Sequence, residues 1–103
     1  MTVQIEVLYT PDDENAQAVA DLVEQVVADL GIAADLAYIE VKSDKQAFDI
    51  GFIGSPTVRF NGVDPWPIPN APAGMRVRAF FTDEGMLDYP TYEMLRDYLS
   101  QFA

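Results

Sequence analysis

Within the first 31 residues, the spacing of hydrophobic residues changes from every second residue to every third or fourth. Val3, Ile5 and Val7 alternate with polar residues, which is typical of a strand with one buried face. Between residues 19 and 30, apolar residues recur at spacings of three and four, which is typical of an amphipathic helix, and Gly31 supplies a left-handed helix end. A strand that leads into a helix favours a crossover between parallel strands, and therefore an α/β fold.

The segment between this strand and this helix carries helix-start signals. Thr10 is placed to act as an N-cap, Pro11 suits the first helical position, and the acids at 12–14 oppose the positive helix end. We therefore predict that the helix begins here and runs to about residue 30. The same acids are potential oxygen ligands for a hard cation, but their spacing matches no calcium loop. We interpret them as capping residues and predict no metal site.

The rest of the chain predicts five further elements and one loop. Four of the seven prolines fall between residues 62 and 75, which indicates a stiff surface loop because proline lacks an amide donor. The Ser43–Gln46 pair is a capping box, and Asn61-Gly62 is a hairpin turn signal. The predicted elements are a strand over 36–41, a short helix ending at Gly51, strands over 57–60 and 76–82, and a helix over 90–102.

Composition limits the chemistry. The chain has 103 residues, no cysteine and no histidine, and 50% of its residues are hydrophobic. We expect one domain spanning residues 1–103 that folds without disulfides. Thiol redox chemistry, thiolate metal binding and imidazole catalysis by its own side chains are excluded, and no cofactor is predicted.

Charge limits the partners. Seventeen acids against six bases give a net charge of -11, which repels nucleic acids and anionic membranes. The acidity is consistent with solubility, with a basic partner or with adaptation to high salt. No apolar stretch resembles a membrane segment or an export signal, so we expect a cytoplasmic protein.

Two local features carry a family resemblance. The first is Tyr9-Thr10-Pro11-Asp12-Asp13 between strand and helix, and the second is Gly54-Ser55-Pro56-Thr57-Val58 before the third strand. Together with the element order β-α-β-α-β-β-α, they resemble the thioredoxin-like superfamily, and in particular small bacterial thioredoxin-like proteins, some related to alkylmercury lyase. The resemblance implies a single thioredoxin-like domain whose mixed four-stranded sheet has helices on both faces.

The sequence departs from that family at its redox motif. The family places Cys-x-x-Cys at the start of the first helix, beside a cis-proline. Here Thr10 and Asp13, or Asp13 and Ala16 in a shifted register, take the cysteine positions, so no thiol is present. An aspartate also adds negative charge where redox members hold a thiolate. The family's redox mechanism therefore does not carry over.

The resemblance implies that Ser55-Pro56 is a cis peptide whose backbone, with Thr57 following, faces an extended peptide or a glutathione-like ligand. The alternative is a purely structural turn. Tyr9 lies where glutathione transferases place a hydroxyl that stabilises a thiolate, although a tyrosine at a strand end more often serves in packing.

Trp66 lies in Pro65-Trp66-Pro67 and is either a partner anchor or part of a loop folded onto the core. The strand over 76–82 is a candidate edge for homodimerisation, with its two arginines acting as gatekeepers or cross-interface partners.

We therefore expect a redox-inactive, cysteine-less module that binds a protein or peptide through Tyr9, the corner from Thr10 to Asp13, the segment from Ser55 to Thr57, and Trp66. One alternative is an enzyme that binds glutathione or another thiol ligand through Tyr9, Thr10 or Ser55. Another is a structural subunit of a homo-oligomer.

Overall fold

A computed structural model describes residues 2–103, and all structural statements below concern that part of the chain. It is a small α/β domain with a radius of gyration of 13.0 Å. A short 3-10 turn over Ser100–Phe102 follows the last helix. The elements are β1 (Val3–Tyr9), α1 (Ala16–Leu30), β2 (Ala34–Glu40), α2 (Asp44–Ile50), β3 (Thr57–Phe60), β4 (Phe80–Thr82), β5 (Gly85–Leu87) and α3 (Tyr92–Leu99).

The main sheet has three strands in the order β2-β1-β3. β1 runs parallel to β2 and antiparallel to β3, so that Val7 lies between Tyr38 on one side and Val58 on the other. α1 connects the two parallel strands, as the change of hydrophobic period predicted. β2 therefore forms one edge of this sheet.

Helices cover both faces of this sheet because β1 buries side chains on both sides. Val3, Ile5 and Val7 pack with residues of α1, β3 and α3 in the larger hydrophobic cluster. Leu8 packs with the α2 residue Ala47 in a second, smaller cluster. Full burial of an aliphatic side chain contributes about 1.5–3 kcal/mol to stability. Because β1 contributes buried residues to both clusters, it packs against the helices on both faces of the sheet.

The two shorter helices follow their sequence signals. The Ser43 hydroxyl accepts a hydrogen bond from the Gln46 amide at 3.1 Å, and Gly51 ends α2 with φ of 67°. Thr91 caps α3 in the same way through the Met94 amide, so this helix begins two residues later than predicted. Both caps satisfy amides that a helix start leaves without partners.

The start of α1 differs from the prediction. The Asp13 amide donates to the Thr10 carbonyl at 3.1 Å, and the Asp13 carboxylate accepts from the Asn15 amide at 2.8 Å. These local hydrogen bonds compete with helix formation, so residues 11–15 form turns and the helix begins at Ala16. The interpretation of residues 12–14 as acids of the first helical turn is therefore wrong.

The predicted four-stranded sheet is also wrong. Arg76 and Arg78 exchange backbone hydrogen bonds with the single residue Ser55, at 2.7 and 3.0 Å. This pairing is an isolated parallel bridge between Ser55 and Val77 and does not extend into a ladder. The chain then forms a separate two-stranded hairpin from β4 and β5.

The segment predicted as a strand over 76–82 buries alternate side chains. Arg78 and Phe80 are each 2% exposed, whereas Val77 is 73% and Phe81 is 78% exposed. Because Arg78 is buried, it acts neither as an edge gatekeeper nor as a cross-interface partner in this fold. No helix within residues 2–103 has the length and apolar character needed to span a bilayer.

Candidate functional site

The structure brings the two predicted segments together at one corner. The buried Ser55 hydroxyl accepts a hydrogen bond from the Thr10 amide at 3.0 Å and donates one to the Asp13 carboxylate. The Ser55–Pro56 peptide bond is cis, as the resemblance implied. The corner therefore joins the loop after β1 to the loop before β3.

The backbone at this corner is already paired within the chain. Ser55 donates its N–H to the Arg76 carbonyl and accepts at its own carbonyl from the Arg78 amide. Thr57 donates its hydroxyl to the Gly54 carbonyl at 2.6 Å. The groups that we expected to face an extended peptide are occupied by the chain's own residues.

The side-chain chemistry of the corner does not favour a thiol ligand. A serine hydroxyl has one proton, and that of Ser55 is directed to Asp13 and not towards a ligand. An incoming thiolate would also meet the negative charge of this carboxylate. With no histidine in the chain to act as a base, the corner is better suited to hold two loops together than to activate a nucleophile.

Ser55→Ala is expected to lower the free energy of unfolding by about 1–3 kcal/mol, because it leaves the buried Thr10 amide without its acceptor. Ser100→Ala is the matched control. Its hydroxyl bonds the Asp97 carbonyl at the exposed end of the last helix, and we expect a change within about 0.5 kcal/mol. Urea denaturation measures both variants, and equal losses would contradict a fold-holding role for Ser55.

Sequence reasoning missed Arg78 as part of the interior. Its guanidinium forms an ion pair with Asp64 at 2.5 Å and donates to the Thr57 hydroxyl at 3.2 Å. It also donates to the Trp66 carbonyl and lies 4.5 Å from the centre of the Phe80 ring. An alternating pattern does not reveal which of its two sides is buried, so no signal in the sequence identified this residue.

Trp66 covers the core from the proline-rich loop. Its indole packs edge-on against Phe60 and Phe80, with ring centres 6.2 and 6.1 Å apart, and also contacts Tyr98. Its half-buried ring and its carbonyl bond to Arg78 favour the loop-packing alternative over an exposed anchor. Trp66 therefore stabilises the interior through its contacts with Phe60, Phe80 and Tyr98.

Tyr9 and Pro11 line a cleft of about 460 Å³ between α1 and β2. Tyr38 and Glu24 line the same cleft. Partial burial, followed by hydrogen bonding with Glu24 and its negative charge, raises the pKa of Tyr38. Asp12 is exposed and does not line this cleft.

An exposed apolar surface lies in the second half of the chain, around β4 and β5. We call it the hairpin face and define it by Val77, Ala79, Phe81, Met86 and Met94. Phe81 and Met86 are cross-strand partners and so lie on one side of the hairpin. Three adjoining grooves share these residues, the largest having a volume of about 460 Å³.

No protein-family model matches the chain, and comparisons with curated proteins and with solved structures give no match either.

Proposed function

We propose that this chain is a redox-inactive, thioredoxin-like binding module that holds a basic, apolar segment of a partner protein on its hairpin face. The observation that carries the proposal is the exposure of large apolar side chains there. Phe81 is 78%, Val77 is 73% and Met86 is 62% exposed. Contiguous exposed apolar surface of this kind is typical of interaction sites.

Three features support the thioredoxin-like part of the proposal. The strand order β2-β1-β3 has α1 and α3 on one face and α2 on the other. A cis X-Pro bond precedes β3 and lies beside the loop that follows β1. The chain has no thiol at that position, which excludes thiol–disulfide exchange.

Charge favours a basic partner segment. A groove of about 370 Å³ at the hairpin face is lined by Phe81 and Met94, and none of its lining residues is a lysine or arginine. Its polar lining includes four acids, Asp83, Glu84, Glu93 and Asp97. Together with the net charge of -11, this groove attracts lysine and arginine side chains, while the adjoining apolar surface takes aliphatic or aromatic ones. A second copy of the same acidic chain is a less complementary occupant.

The test uses a short fluorescent peptide of alternating leucine and lysine, with a leucine–glutamate peptide as the charge control. We expect saturable binding of the basic peptide only, and at least about a tenfold weakening by Phe81→Ser. Phe48→Ser is the matched variant, because Phe48 is 77% exposed but lies on α2. It should leave the affinity within about twofold.

Three results would overturn the proposal. One is equal binding of both peptides, and another is an equal effect of the two phenylalanine variants. The third is a concentration-dependent dimer, measured by sedimentation, that Phe81→Ser dissociates, because the occupant of the hairpin face would then be a second copy of the chain.

A further inference from the structure

We propose that the cleft between α1 and β2 binds a small organic cation, an ammonium group that carries apolar substituents. This site is separate from the hairpin face and does not depend on the function proposed for it. The proposal rests on the shape of the cleft, on two tyrosine rings and on the charges of the residues that line it.

The shape of the cleft follows from the register of the sheet and from small residues in α1. Val7 and Tyr38 are cross-strand partners on the face of the sheet that α1 covers. α1 presents Ala16 and Ala20 to this part of the sheet, so its side chains leave about 460 Å³ unfilled. That space is of the size that a small ligand requires.

The walls of the cleft suit a cation with an apolar body. Tyr9 and Tyr38 both line it, and the face of an aromatic ring attracts a positive charge. Val7 and Ala20 also line the cleft but are only 1% and 6% exposed, so methyl or methylene groups would pack mainly on Pro11, Ala16 and the two tyrosine rings. A bare metal ion is a poorer match, since no group of three or more metal-ligating side chains within residues 2–103 is arranged to hold one.

The charges of the cleft have one sign. Asp13 and Glu14 enter from the turn before α1, and Glu24 enters from the helix itself. No lysine or arginine is among the lining residues. The same charges disfavour an anionic ligand such as glutathione, so this inference and the thiol-ligand alternative predict opposite ligand charges.

The test compares choline with its neutral carbon isostere, in which a tert-butyl group replaces the trimethylammonium group. Both are titrated into the isotope-labelled protein at about 0.15 M salt, where long-range attraction to the acidic surface is screened. We expect saturable shifts at Tyr9, Ala20 and Tyr38 with choline and none with the isostere. Equal shifts with both compounds, or no saturation at millimolar choline, would refute the proposal.

Two pairs of variants separate the cleft from general surface charge. Tyr38→Leu is expected to weaken choline binding by about threefold, whereas Tyr38→Phe keeps the ring and should restore the affinity. Glu24→Gln should also weaken binding. Asp35→Asn removes the same charge from an exposed position on β2, outside the cleft, and should not weaken binding. Equal effects within either pair would overturn the assignment.

Discussion

Arg78→Met is expected to lower the free energy of unfolding by about 3–5 kcal/mol, because it leaves the Asp64 carboxylate in a partly buried position without its counter-charge. For a domain of this size the melting temperature should fall by roughly 12–40 °C. Thermal unfolding followed by circular dichroism measures this change. A loss below about 1 kcal/mol would contradict the structural role of the ion pair.

A double-mutant cycle separates the ion pair from the packing of the arginine chain. Removing both charges in Arg78→Met/Asp64→Leu should recover part of the loss, since the uncompensated charge is then absent. Recovery should be incomplete, because the Asp64 carboxylate also accepts a hydrogen bond from the Trp66 amide. Arg96→Met is the control, because that arginine is exposed on α3, and we expect a change within about 0.5 kcal/mol.

The sequence predicts the elements of this fold where local physics determines them. The period of two in β1 and the left-handed glycine after α1 both appear as expected. So does the Asn61-Gly62 turn, where both residues have positive φ. Each of these features depends on residues close in the chain, so a local pattern contains the information.

The sequence fails where distant residues compete for the same groups. Asp13 has the local pattern of a helix-start residue, but its carboxylate accepts a hydrogen bond from the Ser55 hydroxyl, 42 positions away. The alternating pattern of residues 76–82 does not show that Arg78 faces inward, where its guanidinium donates to Asp64 and Thr57. Long-range contacts of this kind override local preference.

The candidate site was predictable only in part. The resemblance brought Thr10, Asp13 and Ser55 to one corner, and the structure places them in hydrogen-bond contact. It did not reveal that residues 76–78 occupy the Ser55 backbone, because the alternating pattern of residues 76–82 predicts a strand without showing which residue that strand pairs with. The internal pairing moves the proposed binding surface from this corner to the hairpin face.

Gly54→Ala is expected to lower the free energy of unfolding by about 2–4 kcal/mol, because strain and crowding add at this position. Gly54 has φ of 148°, a conformation that residues with a side chain rarely adopt. A β-carbon there would lie 2.8 Å from the Arg78 β-carbon and 3.2 Å from the Arg76 carbonyl oxygen. The segment that pairs with Ser55 would have to move away.

Gly85→Ala separates the two causes. Gly85 also has positive φ, at 99°, but a β-carbon there would meet no atom within 4 Å. We therefore expect Gly85→Ala to cost only about 1 kcal/mol, from backbone strain alone. Urea denaturation of both variants gives the difference, which measures the crowding of Gly54 against residues 76–78. Equal losses would mean that close packing of residues 76–78 against Gly54 does not contribute to the free energy of unfolding. The pairing of these residues with Ser55 would then lack the stabilising contribution expected here.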